Sequence, residues 1–460
     1  MDRSLSRSKG RVAVRANPLA LLFGRVPLSE RKRPNVLTVI CHDLGQHVGC
    51  LGAGVDTPAL DELAADGLLF DNYHCSAAQC SPSRGSIMTG LYPHSNGLIG
   101  LAHIGWKFRD DVRCLPHYLN DCGYDTHLFG GQHEDARSER VGYANIHDSR
   151  GNSAEIGDRV AGFLREHAAS GDAQPFYLNA GLGEPHRPYL REGYENDDPA
   201  GVTPLPWLPD RPGIREDIGG LNGLVKSVDA CFGTIRDALR QTGLDRDTLL
   251  IFTTDHGLAM PRAKGTCYDS GLKTVLMMHL PGEVEGGRRD HSLLTNCDFT
   301  PTLLDYLGAP VPEGLDGRSF SPLLTGGECE PRESIFAEMT WHDKYNPMRA
   351  IKTPRHKYIR NFGDRPLVYL PLDIYVGLAG QEMRGEYYGS PRPEEELYDL
   401  DSDPGETENL ADSPDHAATL TELRGRVQRW MEETDDLLLR GDVEPTPEQA
   451  QFVANCKEPN

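Results

Sequence analysis

The sequence predicts an α/β protein, with a doubly wound, mostly parallel sheet followed by a smaller C-terminal α+β domain. Three features carry this reading. Asn35–Cys41 (NVLTVIC) is a continuous apolar, β-branched run, as expected of a strand covered on both faces. Further buried-strand runs at Tyr124–Phe129, Phe176–Ala180 and Thr248–Thr254 are interleaved with helical patterns, and that alternation favours a parallel sheet. Near Gly326-Gly327 the texture changes to short strand-like pieces, a polar loop and one last helix.

Taken in order, residues 1–33 hold nine Lys/Arg against Asp2 and Glu30 and read as a disordered basic leader. Pro18–Gly24 (PLALLFG) is short for a signal peptide and has no small-residue cleavage site before Arg25. After the first strand, Thr57-Pro58 opens a helix through about Ala65, with Thr57 as N-cap and Gly67 as stop. In a helix over Leu224–Leu239, the residues Val225, Val228, Phe232, Ile235 and Leu239 share one face. Thr300–Leu307 is a short helix with Pro just inside its start. These elements form a domain over residues 34–328. The second domain, 329–440, has strands at Ser334–Glu338, Met348–Lys352 and His356–Asn361, forms an antiparallel sheet, and closes with a helix over Asp415–Glu433. Residues 441–460 read as a loose tail.

The 460 residues carry a net charge of −22, and beyond the leader there are 38 basic and 67 acidic side chains. Such a body repels nucleic acid and anionic membranes. No apolar run approaches the roughly 18 residues of a membrane span. Eleven cysteines without dense, even spacing do not make a disulfide scaffold, and a cytoplasmic location is expected. A homo-oligomer is compatible with this composition.

In open α/β sheets, ligands collect beyond the carboxyl ends of the strands. Four strand ends here deliver His or Asp: His42-Asp43, Gly131-Gln132-His133, Glu184-Pro185-His186 and Asp255-His256. One such histidine is ordinarily a solvated polar residue. Four together are the ligand set of a divalent metal. The sharpest local signal is Cys80-Ser81-Pro82-Ser83-Arg84, continued by Gly85-Ser86-Ile87-Met88-Thr89-Gly90.

That segment resembles the C-x-P-S-R-x-x-x-x-T-G signature of the type I, formylglycine-dependent sulfatases of the alkaline-phosphatase superfamily. The resemblance runs from Pro34 to about Glu433. Asn35-Val36 with Asp43-Leu44-Gly45 is similar to the first metal motif, and Thr254-Asp255-His256-Gly257 to the second. Pro185-His186-Arg187-Pro188 is similar to the histidine loop, and Lys264 stands where a sulfate-binding cation is found. Phe299–Leu304 and Glu396–Leu410 carry further hallmarks. Pro93-His94-Ser95-Asn96-Gly97, Pro347-Met348-Arg349 and the Trp430 region are similar to the N-sulfoglucosamine sulfohydrolase (sulfamidase) branch.

The resemblance implies an alkaline-phosphatase-like sheet and a nucleophile made from Cys80 by a formylglycine-generating enzyme. In the hydrated aldehyde, one hydroxyl attacks sulfur and the second allows sulfate to leave by C–O cleavage. The implied metal ligands are His42, Asp43, Cys80, Asp255 and His256, around one divalent ion that is calcium in relatives. Manganese or zinc is possible here because His42 and His256 offer nitrogen. Arg84 and Lys264 would stabilise the transferring group, His186 would protonate the leaving group, and His133 would act as a base or orienting group. The substrate implied is a small or chain-end sulfated sugar. Loops Asn196–Ile218 and Trp341–Arg349 would read it, with His342 and Arg349 as candidates; a surface His and a structural Arg are the alternatives.

Three positions depart from the family pattern: His42 for Asp, His256 for Asn, and Gly131 for the Lys of Lys-x-His. They leave open a phosphonate monoester or phosphodiester hydrolase of the same superfamily and a catalytically silent member.

Overall fold

The computed structural model describes residues 33–456 apart from 149 and 172. The expected leader, save Arg33, lies outside the described residues. The larger sheet is built from β1 (Asn35–Cys41), β2 (Leu68–His74), β3 (Asp125–Gly130), β4 (Asn145–Ile146), β5 (Phe176–Gly181), β6 (Thr248–Thr254), β7 (Lys273–His279), β8 (Arg288–Asp290) and β9 (Leu294–Thr295). Their order is β4-β3-β5-β1-β6-β7-β2-β8, with β9 also on β2. From β4 to β6 every pairing is parallel, whereas β7 runs antiparallel to both β6 and β2. The expected mostly parallel sheet is therefore observed, with β7 as its one reversed strand among those described. All seven residues of β1 are buried, as its unbroken apolar run requires.

Strand register places the polar strand ends together. Cys41 lies opposite Thr254 across the β1/β6 pair, and Ile40 lies opposite Gly181 across β1/β5. The segments leaving β1, β5 and β6 are therefore side by side at one edge.

The helix Pro58–Asp66 forms where expected, but Thr57 does not cap it. Its hydroxyl accepts from Gly49 N–H and donates to Asp61 instead. The first-turn amides of Ala59 and Leu60, which have no partner within the helix, donate to the Asp229 carboxylate, which comes from the 31-residue helix Pro212–Thr242. A tertiary carboxylate has thus replaced the local cap. The predicted face of that long helix is buried along Val225, Val228, Phe232, Ile235 and Leu239.

A second, antiparallel sheet is formed by β10 (Ile335–Trp341), β11 (Tyr345–Lys352), β12 (His356–Asn361) and β13 (Glu395–Asp399). The helix Ala417–Glu433 lays Leu420, Leu423, Val427, Trp430 and Met431 on it. Trp430 stacks on Phe336 with ring centroids 4.8 Å apart and meets Tyr92 edge-on at 5.1 Å.

Two further expectations give way to the structure. The tail is not loose over its described length, because Pro447–Asn455 is a helix capped by Thr446. Its buried Gln449 accepts from Trp106 Nε1 (2.9 Å) and donates to Asp343 O (3.0 Å). Arg349 is not a substrate ligand. It is fully buried on β11, pairs bidentately with Asp436, and lies 3.2 Å from Glu338 Oε2. A guanidinium forks onto carboxylates and always carries charge, so sealing one in the interior demands such partners. Glu338 Oε1 in turn lies 2.9 Å from both His94 N and His94 Nδ1. The four side chains join the segment Pro93–Asn96 to the second sheet.

Replacing Arg349 by Met leaves two buried carboxylates facing each other. It should cost on the order of 3–5 kcal/mol in chemical denaturation while leaving KM of the folded fraction unchanged. Burial alone lowers the His94 pKa, but Glu338 and Asp436 outweigh it and raise it. The resulting stability is complete below the unfolded imidazole value of about 6.5 and is lost as pH climbs through the higher native value. His94→Gln should flatten that fall in a series of melting curves above about pH 6.5.

Candidate active site

At the end of β1 the chain turns through Asp43, a non-glycine residue at φ 52°. This left-handed conformation costs a residue with a Cβ about 1 kcal/mol, less for Asp than for most. It aims the carboxylate inward beside Asp255. Asp255 Oδ1 accepts from Asp43 N–H and His256 N–H, both at 2.9 Å. Gly45 permits the close passage of the two segments: a Cβ there would stand 3.0 Å from Gly257 Cα, and its φ is +57°.

Cys80 opens the helix Cys80–Thr89, all ten residues of which are buried. Its Sγ lies 3.4 Å from His256 Nε2 and 3.8 Å from Asp43 Oδ1. The helix N-terminus favours negative charge at this position. Burial would push the thiol up, but Lys264 and His256, with hydrogen bonds from His133 and His186, hold it well below the usual cysteine range.

Four further cationic groups surround this centre. Arg84, fully buried, donates from Nε to Asp255 Oδ2 (3.0 Å) and from Nη2 to Cys41 O (3.4 Å), and its buried Nη1 has no partner. Lys264 Nζ donates to Asp43 Oδ2 (3.0 Å) and Asp373 Oδ2 (2.9 Å) and stands 3.4 Å from His186 Nε2. His186 Nδ1 is 2.7 Å from Arg187 O, which leaves Nε2 for the site. Burial and Lys264 lower its pKa, but Asp43 and Cys80 outweigh them and lift it to about 9. His42 meets two other imidazoles, tilted against His133 with ring centroids 5.9 Å apart and edge-on to His186 at 5.7 Å.

The structure thus gathers Cys80, Arg84, His133, His186, Lys264, His42, Asp43, Asp255 and His256. His342 is buried, its Nδ1 3.2 Å from Asp343 Oδ2, and neither ring nitrogen has a hydrogen-bond partner. Gln132, in the segment where a Lys was missed, shapes its own loop. It donates to Asp135 O and Ser138 Oγ and accepts from Glu134 N and Asp135 N, so that His133 is presented.

Sequence reasoning missed Asp373 and His103. Asp373 lies 109 residues beyond Lys264, on the short helix Leu372–Tyr375, and its Oδ2 also sits 3.9 Å from His186 Nε2. His103 Nδ1 lies 2.8 Å from His133 Nε2. No local pattern marks either residue, and only the packing reveals them.

The donor atoms of His42, Asp43, Cys80 and Asp255 all fall within 4.8 Å of one another, and His256 Nε2 is 3.0 Å from Asp43 Oδ1. Burial raises the Asp43 and Asp255 pKa values. Lys264 and His186 at Asp43, and His256, His42 and Arg84 at Asp255, outweigh it and keep both carboxylates charged. His42 Nδ1 is buried without a hydrogen-bond partner although it lies 3.0 Å from Asp255 Oδ2. Two buried anions, unpartnered imidazole nitrogen and a sulfur facing one point fit a divalent cation. Saturating divalent ion should raise the melting temperature and a chelator should lower it. At a free ion concentration one hundred times Kd, the gain is about 2.7 kcal/mol.

A sulfatase family model matches residues 34–309, and a model for the C-terminal part of N-sulphoglucosamine sulphohydrolase matches residues 257–370. The chain is 30% identical to N-sulphoglucosamine sulphohydrolase of Homo sapiens, over 88% of this chain and 91% of that one. It is 29% identical to an ulvan-active sulfatase of Formosa agariphila, over 87% of this chain and 75% of that one. Its fold is similar to that of a Bacteroides thetaiotaomicron protein solved in work on the metabolism of multiple glycosaminoglycans (TM-score 0.71, 21% identity, 89% and 98% of the two chains). It is also similar to that of the phosphonate monoester hydrolase of Agrobacterium radiobacter (TM-score 0.68, 21% identity, 87% and 96%). The sulfatase match runs through β1, β3, β5 and β6 and the His and Asp residues at their ends, and on that ground the chain belongs to the sulfatase family and is a sulfatase.

Proposed function

We propose that this sulfatase hydrolyses a sulfate ester or sulfamate on a small or chain-end sugar, using formylglycine made from Cys80 and one bound divalent metal. The observation that carries this is the seating of Cys80. It lies at a helix N-terminus, 3.4 Å from His256 Nε2, among Lys264, His133 and His186, within a complete maturation signature. The aldehyde hydrate and the metal together would supply an attacking hydroxyl and offset charge on the sulfate oxygens.

The chain's own residues do the rest. His42, Asp43, Asp255 and His256 would hold the metal. Arg84 Nη1 has no protein partner and is free to donate to a sulfate oxygen. Lys264, clamped between Asp43 and Asp373, offers a fixed positive charge for the same purpose. His186, protonated near neutral pH in the cysteine form, holds a proton on Nε2 for the leaving atom. Asp373 lies against that nitrogen and would face a departing amine as it gains a proton, so the arrangement favours sulfamate over ester.

His42 and His256 replace oxygen donors with nitrogen, and the metal preference should shift from calcium toward manganese or zinc. Metal analysis after purification, then chelation and re-addition, tests this. Calcium alone bound and calcium alone restoring activity would contradict it.

Cys80→Ala should abolish turnover, and the matured peptide should differ from the cysteine form by loss of one sulfur and two hydrogens and gain of one oxygen, which separates it from a serine. His186→Ala should slow poor leaving groups by on the order of 10² or more and spare activated aryl esters, whereas Lys264→Ala should slow both. Asp373→Asn should reduce kcat for an N-sulfated sugar more than for an O-sulfated one. Equal loss on the two substrates would remove the preference for sulfamate.

A phosphonate or phosphodiester reading is favoured by the Asp255-His256 pair. Faster turnover of a bis-aryl phosphate than of an aryl sulfate would establish it in place of the first.

A further inference from the structure

His42 and Cys80 belong to two overlapping donor sets. With Asp43 and Asp255 they make an oxygen-rich group. With His133 they make a second trio, two imidazole nitrogens and one sulfur, whose atoms also lie within 4.8 Å of one another. The carboxylates are not needed for this second set. His256 Nε2, 3.4 Å from Sγ, is a fourth soft donor. A tetrahedral zinc with bonds of 2.3 Å to sulfur and 2.0–2.1 Å to nitrogen holds its donors about 3.5 Å apart. The Cys80–His256 separation already meets this. His42 and His133, already within 4.8 Å of Sγ, would close the remaining distance by side-chain rotation, with zinc replacing the 3.0 Å contact of His42 Nδ1 with Asp255 Oδ2. His103, 2.8 Å from His133 Nε2, supplies the outer contact that orients a ligating imidazole.

We infer that the unmatured protein, with cysteine at position 80, is a zinc-binding form whose metal is held by Cys80, His42 and His133 with His256. Thiolate and imidazole select zinc over hard cations. The binding is coordination alone: no electron is transferred, and any thiol proton passes to solvent. Conversion of Cys80 to the aldehyde removes the only sulfur in the set while His42, His133 and His256 remain, so zinc affinity should be weaker after maturation than before it. Zinc binding by the cysteine form does not require that the matured enzyme hydrolyse sulfate.

The test uses full-length protein made without a formylglycine-generating enzyme, with Cys80 verified by mass and metals removed by chelation. Titration with Co²⁺ should produce a thiolate-to-cobalt charge-transfer band that Zn²⁺ abolishes by displacement. Zinc affinity, read by competition with a chromophoric chelator, should fall at least about 100-fold in Cys80→Ser and at least about 10-fold in His133→Ala, no less than when a contact behind a metal ligand is removed. Melting curves of the chelated proteins establish that each variant is folded. Cobalt binding without the band, or undiminished zinc affinity in folded Cys80→Ser, would overturn the inference. Zinc binding as expected, together with a matured protein inactive on every sulfate tested, would leave it standing and remove the functional reading instead.

Discussion

Two buried carboxylates, Asp43 and Asp255, are the constraint around which this molecule is organised. The β1/β6 register sets them side by side at the sheet edge, where neither touches solvent. Adjacent buried anions are tolerated only when surrounded by compensating charge and donors. Arg84, Lys264, His42, His256 and the backbone amides of Asp43 and His256 supply that here. Under the proposed function, Arg84, Lys264, His42 and His256 would also serve the chemistry, so the groups that make the fold tenable would be the ones the reaction uses.

The second sheet is part of the same solution. Arg349, Glu338, Asp436 and His94 lock it to the first through a buried network, and the loop beyond β12 then carries Asp373 to Lys264. Lys264 is held from both sides, by Asp43 from the first sheet and Asp373 from the second region. A long flexible ammonium side chain has much rotamer freedom to lose, and two carboxylates remove it before substrate arrives. The C-terminal helix reinforces the wall from behind, with Gln449 bridging Trp106 and the Asp343 carbonyl.

Much of this was legible because the informative residues sit where local pattern is strong. Buried parallel strands announce themselves as unbroken apolar runs, and their polar C-terminal neighbours then stand out. Cys80 to Gly90 is contiguous, so its meaning survives without any structure. Arg349 was misread because an arginine in a candidate recognition segment looks the same whether it meets substrate or a buried carboxylate 87 residues away. Thr57 was misread as a cap for a similar reason: the amides it should have served are taken by Asp229, 170 residues distant from Ala59. The tail looked loose because Pro and Glu are common in disordered segments, and Gln449, its one buried anchor among the described residues, carries no periodic signal.

The sequence by itself determined the strand-and-helix alternation, the Cys80–Gly90 signature and the polar residues at the four strand ends, because each is encoded within a short contiguous stretch. Tertiary structure alone decided that Asp373 joins Lys264 and His186, that His103 backs His133, and that Arg349 is structural. Those pairings depend on where distant segments pack. Side-chain type limits which partners are possible, but only the folded register and the burial it imposes select among them.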